Sequence, residues 1–391
     1  MLQRTLSILA LTLPTLLLAQ HWADIMDDKS MNFYEKQAAF EEYWDGKEYE
    51  KGKGYKQFKR WEWFWEPRVD AQGQFPDPQH TWKEWERFQK ENKSRSIGKS
   101  NADWNPIGPS ELSFVSSSPG IGRTSEVAED PNNPNIIYVG TPAGGLWKTT
   151  DGGNSWMPMT DHLPSLGVSG IVVDPVDTDI VYIATGDGDA NDTYSIGVLK
   201  SYDGGFTWEQ TSLSWSVPSQ RVSHKLIMDP SDNNVLLVAT DEGIWKTINA
   251  GETWYQVQTG EIEDMEYHPT DPTIIYANGH TFYRSIDGGE NFEASNEGLP
   301  SSSDVSRYST AVSPDEPDWV YLLAGDADTQ GFLGIYRSTD QGQTWTLRAD
   351  SPNLMGWSGE GTDTGGQAWY DIAVEVDPDN ADRVFVGGVN L

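Results

Sequence analysis

Hydrophobic positions along most of this chain fall in short paired runs rather than at helical spacing. An apolar run, a proline turn rich in Asp and Asn, and a second apolar run recur six times. The copies are VAEDPNNPNIIYVG (127–140), IVVDPVDTDIVYIA (171–184), LIMDPSDNNVLLVA (226–239), MEYHPTDPTIIYAN (265–278), AVSPDEPDWVYLLA (311–324) and VEVDPDNADRVFVG (374–387). Apolar runs of this length, bounded by turn formers, predict strands joined by tight turns. A second pattern alternates with the first, S/T-x-D-x-G-x-x-aromatic, over Thr149–Trp156, Ser201–Trp208, Thr247–Trp254, Ser285–Phe292 and Ser338–Trp345. Its acidic position is held by Asp151, Asp203, Asp287 and Asp340, with Asn249 in the third copy. An oxygen there can accept backbone N–H groups, the glycine can take a positive φ, and the aromatic can pack between units. Identical turns repeated around a rim are fold chemistry, not catalytic acids. Four strands per unit, repeated every 39–64 residues, predict an all-β fold: a β-propeller of four-stranded blades with six blade starts.

The first hundred residues differ. Residues 1–19 combine Arg4, an apolar run from Leu6 to Leu18 broken by Pro14, and Ala19, the layout of a cleaved export signal. A membrane anchor needs about 20 apolar residues, so no insertion is expected and the protein is read as secreted. Residues 20–103 predict a helical, aromatic-rich segment, since Asn32 with Glu35 and Thr81 with Glu84 have capping-box spacing. Trp82, Trp85 and Phe88 would form one stripe. Trp61, Trp63 and Trp65 in RWEWFWEP (60–67) could stack on sugar rings, although docking on the main body is the stronger expectation. The propeller is assigned to 104–391, where Trp104–Ile107 could complete the last blade. The chain ends at Val389-Asn390-Leu391, where a third strand of blade six should begin, so a truncated sequence with further blades is expected.

Charge narrows the partners. There are 27 Lys and Arg against 60 Asp and Glu, for a net charge of −33. Residues 104–391 carry 11 basic and 43 acidic side chains. Nucleic acid is thereby excluded as a partner, because phosphate binding needs clustered Lys and Arg. The absence of cysteine removes disulfides, thiolate metal sites and thiol nucleophiles together.

The repeats resemble the Asp-box (BNR) repeats of secreted β-propellers, as in sialidases, xyloglucanases and sortilin/Vps10-like receptors. With the signal peptide and helical prefix, they also resemble exported proteins of Bacteroidetes type, in which a C-terminal sorting domain often follows. The resemblance implies the fold but not an activity. A xyloglucanase would carry a first-blade Asp in T-D-x-G-G, and here Pro142 stands at that position in TPAGG (141–145). A sialidase would need an Arg triad and a Tyr nucleophile, loosely matched by Arg123, Arg221, Arg307 and Tyr370, yet its early R-I-P motif is missing. A sortilin-like propeller binds peptide or glycan without chemistry. A secreted binding module for an extracellular glycan or peptide is therefore expected, with glycoside hydrolysis as the alternative.

Candidate residues follow from loop lengths. The long insertions, 186–197, 325–334 and 350–368, should share the face opposite the proline and Asp turns, where ligands are expected. Lys148, Lys200, Lys246, Arg284 and Arg337 each precede the Asp position by three residues and should pair with neighbouring acids. Arg123, Arg221 and Arg307 open inner strands of blades one, three and five and would ring one channel mouth, suggesting an anionic ligand; pairing with nearby acids is the stronger expectation. His224, Asp264, Tyr308, Trp357, Trp369 and Tyr370 are placed near the same rim as a sugar platform. Weak catalytic candidates are Asp187, Asp241 and Tyr370. Asp187, Asp189 and Asn191, with Asp192, have a spacing that could wrap Ca²⁺, although Val198 stands where an EF-hand needs Glu and a solvated acidic loop is at least as strong a reading. No cofactor is required by any of these readings.

Overall fold

The computed structural model describes residues 26, 28, 30–48, 54–76, 83, 84, 87, 90 and 122–389. The chain divides into two compact units at Pro76/Asp77. The export signal, the Trp82–Phe88 stripe, Trp104–Ile107 and the expected boundary at 103–104 lie outside the described residues.

In the first unit α1 (Phe33–Trp44) starts on the expected capping box. Asn32 Oδ1 accepts the Glu35 N–H at 3.0 Å, and the Glu35 carboxylate accepts the Asn32 N–H at 2.7 Å. Helix α2 (Tyr55–Trp65) follows Gly54, whose φ of 82° only glycine adopts readily. Phe40 stacks on Phe58 at 3.8 Å, and Trp61 packs against Phe33 and Phe75. Trp61 is thus a core residue of this small unit, while Trp63 remains exposed.

The second unit is the propeller. Blade one comprises β1 (Glu126–Asp130), β2 (Asn133–Thr141), β3 (Gly145–Thr149) and β4 (Met157–Pro158). Blade two holds β5 (Val168–Val173), β6 (Val181–Thr185), β7 (Gly197–Ser201) and β8 (Glu209–Ser214). Blade three holds β9 (Ser223–Asp229), β10 (Asp232–Thr240), β11 (Gly243–Thr247) and β12 (Tyr255–Thr259). Blade four holds β13 (Asp264–Tyr267), β14 (Ile275–Asn278), β15 (Phe282–Ser285) and β16 (Glu293–Ala294). Blade five holds β17 (Val305–Val312), β18 (Val320–Asp326), β19 (Phe332–Ser338) and β20 (Thr346–Ala349). Two strands of a sixth, β21 (Ala373–Val376) and β22 (Val384–Gly387), complete the described set. Every sheet is an antiparallel meander in chain order.

The first strands of successive blades are neighbours, and a separate apolar cluster fills each space between consecutive sheets. Second strands of blades two to five are buried on both faces: the adjacent pairs Val181–Tyr182, Leu236–Leu237, Ile275–Tyr276 and Leu322–Leu323 are all enclosed. That explains their continuous apolar spelling.

The repeated turn holds each blade's third and fourth strands together. Ser201 Oγ donates to Asp203 Oδ1 at 2.8 Å and accepts the Gly205 N–H at 2.8 Å; Asp203 Oδ1 accepts the Thr207 N–H at 2.8 Å. Asn249 makes the same contacts through its amide oxygen, with Thr247 and Thr253. The second glycine of the turn is obligatory. At Gly289, φ is 83° and a Cβ would lie 2.8 Å from Leu237 Cδ2.

Repeat basic residues reach mainly to the next blade's turn. Lys148 Nζ donates to the Gly204 carbonyl at 2.9 Å, and Lys246 Nζ to the Gly288 carbonyl at 2.8 Å and to Glu290 at 2.6 Å. Arg284 meets Gln341 at 2.8 Å and Arg337 meets Asp382 at 3.0 Å. Only part of this set pairs with acids: Lys246 and Arg337 meet carboxylates, whereas Lys148 meets a turn carbonyl, Arg284 the Gln341 side chain and Lys200 the rings of Tyr182 and Tyr202. Among the described residues no helix is long and apolar enough to cross a membrane.

Candidate functional site

The inner strands alternate side chains between channel and blade core, and the channel side is polar. Lys225 on β9 lies 3.5 Å from Glu126 on β1 and 3.7 Å from Glu266 on β13. Burial pushes both carboxyls above their usual range, with Lys225 opposing the rise. Their proximity to Asp264 and, for Glu266, to Glu375 adds to it.

Above this layer, connections from several blades meet. Asp187, on the β6–β7 loop, is fully buried. Its Oδ1 accepts the Asp189 N–H at 3.1 Å; its Oδ2 accepts Ala190 and Asp192 N–H groups and the Arg123 Nη2–H at 2.6 Å. Asp189 bridges two guanidiniums, taking Arg307 Nη1 at 2.7 Å on one oxygen and Arg123 Nη1 at 3.4 Å on the other. Arg307 also donates to the Trp369 carbonyl at 3.1 Å. Arg123 lies 5.7 Å from the Tyr370 ring, which packs on Trp369 at 4.1 Å.

Arg221 is engaged elsewhere, by Asp241 at 3.4 Å and by Glu242, both on its own blade's β10–β11 loop. All three arginines therefore pair with carboxylates, and the one shared partner, Asp189, joins Arg123 and Arg307. Such pairs leave little uncompensated positive charge for an anion.

His224 sits against Gly188, with a side chain only 5 % exposed. Burial, reinforced by the Arg307 charge, pushes its ring down to about 3, so the imidazole is neutral. Glu261 and Glu263 flank Ile262, which is wholly buried. The period of two along that extended connection turns both carboxyls to the other side. Glu263 Oε2 lies 3.8 Å from Arg307 Nε, and burial drives its carboxyl upward.

Two rim assignments from the sequence are corrected. Tyr308 is 1 % exposed and belongs to the apolar cluster between blades four and five. Asp264 is structural, accepting the Thr310 N–H at 2.8 Å and the Met265 N–H at 3.0 Å. Trp357 lies on the 350–368 loop, where its backbone N–H donates to Asp363 at 2.7 Å. The Tyr370 hydroxyl donates to Gln367 Oε1, three residues earlier.

The Asp187-Asp189-Asn191 spacing does not form a cation cradle. Asp187 faces amide and guanidinium donors, Asp189 lies between two arginines, and Asn191 occupies a left-handed turn position with φ 55°. Among the described residues, no group of three or more His, Asp or Glu side chains is arranged to hold a metal ion.

Sequence reasoning missed Glu261 and Glu263, choosing their neighbour Asp264 instead. The available signal was Glu-Ile-Glu in a short connection, where one apolar residue must anchor and its neighbours must face away.

No family model matches the chain. It is 28 % identical over 259 residues to a xyloglucanase of a Paenibacillus species, covering 63 % of this chain and 23 % of that protein. It is likewise 28 % identical over 247 residues to the xyloglucanase Xgh74A of Acetivibrio thermocellus, covering 60 % and 26 %. The chain thus spans about a quarter of the length of these relatives. Among solved structures it resembles an ancestral GH74 enzyme, with a TM-score of 0.53 at 18 % identity, covering 68 % of this chain and 35 % of that one. The GH74 xyloglucanase from Xanthomonas campestris gives 0.51 at 20 % identity, covering 68 % and 42 %. These structural likenesses concern the fold.

Proposed function

We propose that this chain is an extracellular, polysaccharide-directed β-propeller of xyloglucanase type, and that its glycan site is the channel mouth built from Arg123, Asp189, His224, Glu263 and Arg307. The observation that carries this reading is the sequence similarity to proteins named xyloglucanases over 60–63 % of the chain. The apolar segment 6–18 supports export, and the repeated turns support membership of the Asp-box propellers.

Hydrolysis of a glycosidic bond needs a carboxyl that holds its proton and a second, deprotonated carboxylate. Burial of Glu263 favours the protonated form, which suits it to protonate the leaving oxygen. Asp189, between two guanidiniums, is the carboxylate partner in this reading. Trp369 and Tyr370, half-buried on the same side, can stack on a pyranose ring.

Binding without hydrolysis is the second reading, and a specific observation favours it. Asp187, Asp189, Asp241 and Glu242 are all engaged by arginines, and Pro142 replaces the acidic residue of T-D-x-G-G. The deciding experiment measures reducing ends released from xyloglucan by the full chain and by Glu263→Gln. Release that the substitution abolishes supports hydrolysis at this mouth. Retained xyloglucan binding without release supports the second reading, and neither binding nor release would overturn both.

A further inference from the structure

The proline turns and the Asp turns lie at the end of the blades opposite the channel mouth, because each sheet is an antiparallel meander. Repetition supplies an internal control for every position in them. The residue after the turn proline is Asn132, Ser231, Thr270, Asp315 or Asp379 in five blades, but Val176 in blade two. The second residue of the Asp turn is Thr150 in blade one and Thr339 in blade five, but Tyr202, Ile248 and Ile286 in the three blades between. Its sixth residue is Asn154, Glu252, Glu290 or Gln343, but Phe206 in blade two. The turns with Thr close in the same way, Asp151 Oδ1 and Asp340 Oδ1 each accepting a backbone N–H four residues on at 2.9 Å. The fold therefore does not require the apolar residues, yet Val176, Tyr202, Phe206, Ile248 and Ile286 are between 57 % and 81 % exposed.

These side chains share one rim. In blade two the Gly204 N–H donates to the Asp179 carbonyl at 2.8 Å, joining the Asp turn to the proline turn. The Tyr182 hydroxyl ties blade two to the turn of blade three through the Ala250 carbonyl, and Lys246 ties blade three to the turn of blade four. Exposed apolar groups gathered on one rim mark an interaction surface, whereas single ones scattered over a protein do not. The exposed charges among them have one sign: Asp177, Asp179, Glu252, Asp287 and Glu290 all stand on these turns. Nearby cations are turned away from solvent, with Lys148 and Lys246 buried against turn carbonyls and Lys200 lying 4.6 Å over the Tyr202 ring. A second copy of the chain would bring acid against acid, and a polyanion would be repelled.

We propose that the turn rim of blades two to four docks a cationic segment of another protein, one in which Lys or Arg alternates with large apolar side chains. The apolar groups of that segment cover Val176, Tyr202 and Phe206 and continue over Ile248 and Ile286, while its cations meet the carboxylates between them. The surface shares no residue with the channel mouth, so it stands or falls independently of the glycan reading.

The test follows fluorescence polarisation of a labelled peptide of alternating Lys and Leu titrated with the full chain, with Lys–Ser and Glu–Leu peptides for comparison. A triple variant, Val176→Asn with Tyr202→Thr and Phe206→Asn, gives blade two the residues that blade one carries at the same turn positions. A second variant combines Ile248→Thr with Ile286→Thr, and melting curves are recorded for both. The expected result is saturable binding of the Lys–Leu peptide that weakens at raised salt, and no binding of the Glu–Leu peptide. Binding of the Lys–Ser peptide to wild type, and of the Lys–Leu peptide to each variant, should be about tenfold weaker. If the triple variant fails to fold, the double variant decides. Lys–Leu binding left unchanged in the folded variants would overturn the proposal, as would no wild-type binding at all. Equal binding of the Lys–Ser peptide would reduce the effect to charge alone and overturn it, and equal binding of the Glu–Leu peptide would remove the charge preference with the same result. Self-association of wild type that the substitutions abolish would make a second copy the occupant and overturn it too.

Discussion

Arg307 Nη1 donates to Asp189 Oδ1 at 2.7 Å, although 118 residues separate the two in the chain. The bond ties the inner strand of blade five to the β6–β7 loop of blade two, and Arg123 of blade one joins the same carboxylate. Asp189→Ala should leave two guanidiniums without their shared acid. A loss of about 2 kcal/mol is expected, between the values for exposed and buried pairs. Urea denaturation of the variant against wild type measures it.

The repeated turn makes a separate prediction. Ser201 is 1 % exposed, and its hydroxyl meets Asp203 and the Gly205 N–H at 2.8 Å each. Ser201→Ala should cost about 1–3 kcal/mol, because it orphans a buried N–H. Asp203→Asn should cost far less than Asp203→Ala, since Asn249 already serves in blade three. Thermal melts of the three variants test this order.

These turns were legible in the sequence because their chemistry is local: the hydroxyl, the acid and the glycine are all within five residues. Proline turns and apolar runs gave the blade order for the same reason. The mouth was only half legible. Arg307 and His224 are both placed at the rim from the sequence, but their partners come from other blades. Asp189 was read as a cation ligand from its spacing and is instead a bridge between arginines. Glu263 was passed over for Asp264 by one position, and in extended chain one position reverses the side chain. The central ion cluster was invisible for a different reason, since Glu126, Lys225 and Glu266 meet only when the ring places β1, β9 and β13 around one channel.

Lys225 offers a test of that cluster. Its ammonium lies between Glu126 and Glu266, and its side chain is 25 % exposed. Lys225→Met should destabilise the protein at neutral pH by about 2 kcal/mol, because the remaining carboxylates repel one another. Part of the loss should return near pH 5, where those carboxyls take up protons. Equal losses at the two pH values would contradict the repulsion.

Stability should also depend on pH in two opposing ways. Asp151 and Asp203 are held below the usual carboxylate value of 3.8, first by side-chain hydrogen bonds from Ser155 and Thr207, Asp151 to about 2. Their contribution is present above 3.8 and is lost as pH falls through the lowered values. Glu126, Glu263 and Glu266 are raised above 4.5 by burial. The folded protein therefore holds their protons more tightly than the unfolded chain, and stability falls as pH rises from 4.5 through the raised values. The urea midpoint should be greatest between these limits and lower at both pH 2 and pH 8. A midpoint rising steadily from pH 5 to pH 8 would show that the buried glutamates do not govern the profile.

The most direct test of the glycan reading is calorimetric titration of the full chain with xyloglucan oligosaccharide at pH 5, comparing wild type with Glu263→Gln. The account predicts saturable binding to wild type, with affinity reduced several-fold when the carboxyl is replaced. No heat of binding for wild type at millimolar sugar, with the protein folded by its melting curve, would contradict it.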